Sequence, residues 1–533
     1  MDAEVLPEHA RSDDRSIAEG PSENRLDALV SGLVLLAYGL LVTTAVAVHE
    51  PWFDEAQSWL LARDAGVVEL LTERLRYEGH PPLWYLILKV PITLGLPYGS
   101  GNVIAAAFGV LGVGLLMASK TTPLAIRLLL PFSFFVAFQY AVIARSYALV
   151  FPILMAILLV YPRRRERILT FAALLILLSN VSLHGLGMAG ALSALYALDL
   201  WQEGVRPRHL VRAEWRRHWL AALLVGGSAL ALVLMLKPPP DLGRPSIEPI
   251  LDPRDLAQIL ANITASFLFK ANAVSATVWV VLVAWFWRTR NLLLYALLTL
   301  ANLVIASIYY SAWHEGLFFL ALVFTLLRSF QRLPKLPAHR FDVRFRAVVL
   351  VVASAILLHH VSWTVRTLRY DIDGPFSGAG EMARLIEEHG LDDPTIRLYA
   401  TSFPCIALQP YFDHNLFANY DPRGGGTFFD WSATTPLYIK RRGPLTVEDY
   451  VELDHWMTEQ LAEAPDFVLV SSKSPLDRGT IMSLRDDGRY RPVATTEGVI
   501  FWKTSRLELD HYLLFQRVDP PVDLPTNRPS VVP

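Results

Sequence analysis

The sequence predicts an all-α polytopic membrane domain of about 11–13 transmembrane helices, followed by a small soluble α/β domain. Three observations carry that prediction. Of the 533 residues 53% are hydrophobic and only 18% charged, against roughly 25% charged in soluble proteins. The deficit is uneven: long apolar runs separated by short charged clusters fill residues 27–361, while 364–533 has an ordinary soluble composition. The net charge of -2 gives no reason to expect a nucleic-acid partner. The single cysteine, Cys405, excludes an intramolecular disulfide and a multi-cysteine metal site.

Residues 1–25 are polar and mixed in charge, without the basic start and early apolar core of a signal peptide. They predict a disordered cytoplasmic tail, so that the first apolar run, Leu26 to Val48, is a retained anchor. Twelve segments are candidate spans: 27–48, 82–97, 102–118, 123–143, 146–160, 167–182, 184–200, 218–236, 275–288, 291–309, 312–328 and 347–361. Four basic clusters set the orientation. They centre on Arg163–Arg167, on Arg206 to Arg217, on Arg288 with Arg290, and on Arg328 to Arg346. An even number of spans separates consecutive clusters, so all four share the cytoplasmic side. Loops 49–81 and 237–274 and the domain 364–533 then face outward. With the N-terminus inside and the C-terminal domain outside, the crossings must be odd in number. One short candidate between 82 and 143 therefore does not cross fully.

The first outer loop, 49–81, holds seven acids against three basic residues. Trp52, Phe53, Trp59, Leu60, Val67, Leu70, Leu71 and Leu75 recur at roughly helical spacing, which predicts interfacial amphipathic helices with aromatic anchors. Asp54 and Glu55 follow an aromatic pair just beyond the first span. As bare carboxylates they fit a general base, a metal ligand or a solvated helix cap. His80-Pro81-Pro82-Leu83 closes the loop, and prolines there are ordinary at a helix start.

Taken together, aromatic-Asp-Glu after the first span and HPPL opening the second resemble the membrane glycosyltransferases of the C-type fold, closest to the protein O-mannosyltransferase and aminoarabinose-transferase group. The resemblance covers the membrane domain, 26–363, with its motifs between about 50 and 150. It implies a sugar taken from a polyprenyl-phosphate donor on the extracytoplasmic face of the plasma (inner) membrane, and a lipid, glycan or protein acceptor. It places the catalytic acid on Asp54, with Glu55 matching the neighbouring acid. An inverting transfer needs a base for the acceptor proton, and the leaving phosphate needs positive charge or hydrogen-bond donors.

Arg145, isolated in an apolar run, is a functional candidate because a lone charge there is expensive; snorkelling to the interface is the plain alternative. The ARSYAL sequence also resembles a pattern in bacterial members of the group, which makes Arg145 and Tyr147 the expected clamp for the donor phosphate. His80, His184, Lys237, His314 and Glu315 are further candidates for substrate binding, the last two departing from the Arg-Tyr or Arg-His common in the family. His49, Glu50, Glu78 and His80 lack a metal-ligand spacing, and related mannosyltransferases are generally metal-independent, so neither a metal nor a cofactor is assigned.

Loop 237–274 begins proline-rich and continues as an interfacial helix; it covers the substrate cleft or merely connects two spans. The tail predicts a helix near 378–390 and strands near 395–401, 466–472 and 497–504. Gly424-Gly425-Gly426 has no strand-turn-helix context and is a loop rather than a phosphate cradle. The domain either caps the membrane core or helps to bind acceptor. The rival function is a polytopic transporter or flippase, which would place ionisable residues at span centres within repeated halves. Here they collect at one face, without a visible repeat.

Overall fold

The computed structural model describes residues 21–205, 215–242, 252–269, 273–420, 427–432, 465–472, 475–486, 488–503 and 505–518. Arg206, Arg208, Arg212 and Gly424–Gly426, together with most of the 1–25 tail and part of loop 237–274, lie outside them. The described chain is mostly helical. Its helices are α1 (Pro21–Val48), α2 (Phe53–Asp64), α3 (Leu83–Thr93), α4 (Ser100–Ala118), α5 (Leu124–Leu129), α6 (Val150–Val160), α7 (Ile168–Ser179), α8 (Leu183–Gln202), α9 (Arg216–Met235), α10 (Pro253–Phe267), α11 (Ala273–Arg288), α12 (Leu292–Ile308), α13 (Glu315–Arg332), α14 (Asp342–Asp373), α15 (Ala379–Glu388) and α16 (Pro475–Asp486).

Seven helical segments are long and apolar enough to cross a membrane, and four shorter apolar helices accompany them. The candidate span 123–143 is the one that forms no such helix. α5 stops at Leu129, a 3-10 turn follows through Pro131, and a single wide turn covers Phe135–Gln139. Pro131 lacks the amide that would continue the helical ladder. The segment from Phe134 to Ala144 is nevertheless buried throughout, so its apolarity reflects protein core rather than lipid contact.

Burial sorts the other helices by position. In α13 every residue from Glu315 to Gln331 is buried, and a helix apolar all round belongs at the centre of a bundle. α9 buries only Ala221 and Leu232. α1 exposes Leu26, Leu29, Leu33, Leu36 and Leu40, each at 57–63%. Such long apolar stripes are unfavourable in water and natural against lipid.

The domain boundary expected at 363 falls inside α14, which runs unbroken to Asp373. Arg366 and Arg369 turn outward while Trp363, Thr367, Leu368 and Asp371 stay buried, so one helix carries the chain from apolar to polar surroundings. Beyond it lies a small sheet region. β1 (Leu398–Ala400), β2 (Phe467–Ser471), β3 (Tyr490–Thr496) and β6 (Tyr512–Arg517) form one sheet in the order β1-β2-β6-β3, with β1 parallel to β2 and the other pairs antiparallel. β4 (Val499–Trp502) and β5 (Ser505–Leu509) form a separate hairpin. The expected helix and three strands are present as α15, β1, β2 and β4; β3, β5 and β6 are additions.

Candidate functional site

The segment after α1 positions the key carboxylates. α2 starts at Phe53, putting Asp54 and Glu55 in its first turn, where acids complement the helix dipole. Adjacent helical residues point about 100° apart, and here they face different surroundings. Asp54 is half-buried and lines a cavity of about 580 Å³, and its carboxylate takes no hydrogen bond from the described residues.

Glu55 faces inward and is 1% exposed. Its Oε2 accepts from the Trp52 amide at 3.2 Å and from His49 Nε2 at 3.3 Å. Its Oε1 accepts from Asn102 Nδ2 at 2.7 Å and the Ala144 amide at 2.6 Å. Glu55 thus ties the end of α1, the start of α4 and the 140–145 segment together, and it does not line the cavity. The resemblance makes Glu55 a supporting acid beside Asp54; in the structure its oxygens are committed to the scaffold. His49 Nδ1 donates to Asp371 at 3.1 Å. Burial alone would push the His49 imidazole down, but the charge and hydrogen bond of Asp371, with Glu55 behind them, raise it to about 10. It is therefore an imidazolium between two carboxylates at neutral pH.

Arg145 follows the broken segment at the mouth of α6. Its Nη1 donates to the Asp54 carbonyl at 2.5 Å and to Ser58 Oγ at 3.0 Å. Burial opposes its charge, but the neighbouring Asp54 carboxylate outweighs it and holds the guanidinium above its ordinary value. Nη2 and Nε take no acceptor among the described residues, and the side chain lines the cavity.

Much of the remaining wall is aromatic or imidazole, with Gln57, Glu78, Gln139 and Glu508 among its other polar members. Tyr147 contacts His80 at 6.5 Å and His314 at 5.7 Å between ring centroids, and His314 lies 4.7 Å from His184. His184 Nε2 and His314 Nδ1 are buried and lack hydrogen-bond partners among the described residues. Six of the nine sequence candidates, Asp54, His80, Arg145, Tyr147, His184 and His314, therefore line one cavity.

The other three do not. Besides Glu55, the Lys237 side chain is exposed and outside the lining, its carbonyl taking a 3.0 Å bond from Arg76. Glu315 is buried: Oε1 accepts from Tyr310 at 2.9 Å and Oε2 pairs with Lys503. Glu315 meets a partner from the tail domain, which is why it offers nothing to the cavity.

Sequence reasoning left the tail domain as a cap or an aid to acceptor binding and named none of its residues in the wall. Phe403, Trp431 and Glu508 line the cavity from that side. The β4–β5 hairpin inserts its tip into the helical bundle, with Trp502 at 4.3 Å from Trp313 and 4.8 Å from Phe134 between ring centroids. Burial pushes the Lys503 ammonium down, against the Glu315 charge. Gln57 forms a second junction: it exchanges two 2.9 Å bonds with the Phe429 backbone and donates to Glu78, another lining residue, at 2.7 Å. The acid-rich composition of 49–81 already held Glu78; nothing local marks Glu508.

Among the described residues no group of three or more His, Cys, Asp or Glu side chains is arranged to hold a metal ion. What the cavity offers is a carboxylate free of hydrogen bonds, a guanidinium with unused donors, and aromatic faces. Comparison with known protein families, curated proteins and solved structures finds no match to this chain.

Proposed function

We propose that this protein is an integral-membrane glycosyltransferase of the C-type fold, moving a sugar with inversion from a polyprenyl-phosphate donor to an acceptor at the extracytoplasmic face. The observation that carries the reading is the meeting of the Asp54 carboxylate and the Arg145 guanidinium in one cavity. That cavity lies where the apolar helices give way to the tail domain, the level at which a lipid-borne phosphate sits. The seven long and four shorter apolar helices total eleven, an odd number that suits termini on opposite sides.

Asp54 takes the proton of an acceptor hydroxyl or amine as its oxygen or nitrogen attacks the anomeric carbon. The bond from that carbon to the phosphate oxygen breaks, and the electron pair leaves on the polyprenyl phosphate. Arg145, through its unused Nη2 and Nε donors, receives the developing phosphate charge. Tyr147, His80, His184 and His314 supply hydrogen-bonding edges, while Trp52, Trp313 and Trp431 offer faces for the sugar ring. The aromatic wall also limits water around the reacting carbon.

The test is radiolabelled sugar transfer in membranes from defined lipid-linked donors. Asp54→Asn lowers the rate by about 10²–10⁴-fold, the range of general-base catalysis. Full activity in that variant sinks the assignment. Arg145→Ala loses donor binding while the fold survives. Movement of an intact lipid or solute without bond cleavage would instead support the transporter.

A further inference from the structure

A second pocket lies at the opposite end of the helical bundle. α13 begins beside the cavity at Glu315 and ends beside this pocket, about 27 Å away at 1.5 Å per residue. The pocket is an open depression of about 540 Å³ between the α6–α7 turn and the α13 end, and Arg163, Arg167, Lys335 and Gln331 line it. Glu166 is its one acidic wall residue, and no ion pair joins it to the three cations.

Neighbouring cations are already engaged. Arg164 pairs with Asp199 at 2.5 Å and Arg165 with Glu203. Arg332 donates to the Arg290 carbonyl at 3.1 Å. Arg328 is 8% exposed and contacts Gln331 at 3.4 Å. The Arg164 and Arg328 guanidinium groups lie 4.3 and 4.8 Å from the Tyr161 ring centroid. Both Nε atoms are buried and without a hydrogen-bond acceptor. Two partly buried guanidinium groups thus share one ring behind a pocket whose own three cations pair with no carboxylate among the described residues. Arg163, Arg167 and Lys335 are exposed, so their charge is open to an anion that arrives at the surface.

We propose that this pocket binds the phosphate headgroup of an anionic membrane lipid. A lipid rather than a soluble phosphate fits because Arg163, Arg167 and Lys335 sit at the ends of apolar helices, at headgroup depth. Arg163 and Arg167 flank the phosphodiester from one side and Lys335 from the other, with acyl chains running down the apolar surface of α6 and α7. The inference rests on the membrane-spanning reading and is independent of the sugar-transfer reaction.

The test is native mass spectrometry of the full chain in neutral detergent, titrated with phosphatidylglycerol or phosphatidylcholine. The wild type retains phosphatidylglycerol preferentially. Each cation removed weakens it roughly fivefold, so Arg163→Gln/Arg167→Gln/Lys335→Gln loses on the order of a hundredfold. Lys335→Gln alone gives the single step should the triple variant melt early. Arg216→Gln/Arg217→Gln removes charge outside the pocket and keeps the preference. Equal retention of both lipids by wild type overturns the proposal, as does an unchanged triple variant. An equal loss in the Arg216/Arg217 variant shows a diffuse surface field and overturns it too. Inorganic phosphate bound as tightly as the lipid would identify a soluble-anion site and overturn the assignment to a lipid.

Discussion

Asp54 and Glu55 are neighbours in sequence with separate duties, and the difference is measurable. Glu55 is held by four donors in a buried site, so Glu55→Gln leaves the His49 imidazolium short of an anionic partner and replaces an acceptor oxygen by a donor. Breaking a buried charge pair costs about 3–5 kcal/mol, and the variant should show it as a lowered melting temperature. Asp54→Asn breaks no side-chain hydrogen bond but removes the carboxylate charge beside the Arg145 guanidinium, so it should melt below the wild type by less than Glu55→Gln while losing activity. His49 adds a pH signature. Its folded value of about 10 lies above the ordinary 6.5. Its stabilisation is then complete below about 6.5 and is lost as pH rises through about 10. The stability difference between wild type and His49→Gln should shrink across that window; a difference constant from pH 6 to 10 would show that His49 is neutral. Asp54 was legible because an aromatic-acid pair just past an apolar run is visible in one dimension. The burial of Glu55 was not, because its partners Asn102 and Ala144 come from distant segments.

At the level of elements, the β4–β5 hairpin decides how the two parts of the chain meet. Its Lys503–Glu315 pair lies in a site where neither side chain is more than 11% exposed. Lys503→Ala leaves the Glu315 carboxylate with Tyr310 as its remaining described partner, an expected cost of about 3–5 kcal/mol. Removing both charges with Lys503→Met/Glu315→Leu should recover most of that loss, because hydrophobic replacements of a buried pair are often neutral. Thermal melts of the two variants check this; equal destabilisation would mean that the aromatic seat of Trp502, rather than the ion pair, fixes the hairpin. Sequence periodicity found β4 but not this role, since its partners Glu315, Trp313 and Phe134 lie far away in the chain. The broken segment 123–143 shows the same limit. Its hydropathy is that of a span, and only Pro131 hints that the helical ladder stops. Protein core and lipid select similar side chains, so composition alone does not tell them apart.

For the whole molecule, composition was enough to separate the apolar helices from the C-terminal part that carries the sheets, because the charge deficit follows the chain in one block. The cavity was not readable that way, since its wall closes only when the tail folds back onto α2. Phe403, Trp431 and Glu508 share it with Arg145 and Asp54. Arg63 reaches the Phe412 carbonyl at 2.9 Å, and Asp64 accepts from the Thr427 amide at 2.7 Å. A tail that merely recruited acceptor could be removed without harm to donor binding. The geometry argues otherwise. Ending the chain after Asp373 opens the cavity on one side, strips Gln57 of the Phe429 backbone, and leaves the Glu315 charge without Lys503. The truncated protein should still insert, since all eleven apolar helices precede or include Asp373. Its donor affinity should nevertheless fall at least tenfold, the equivalent of about 1.4 kcal/mol, together with transfer activity. Donor binding measured in detergent on the truncated and full chains decides the point: unchanged affinity in the truncated chain would reduce the tail to an acceptor-side accessory.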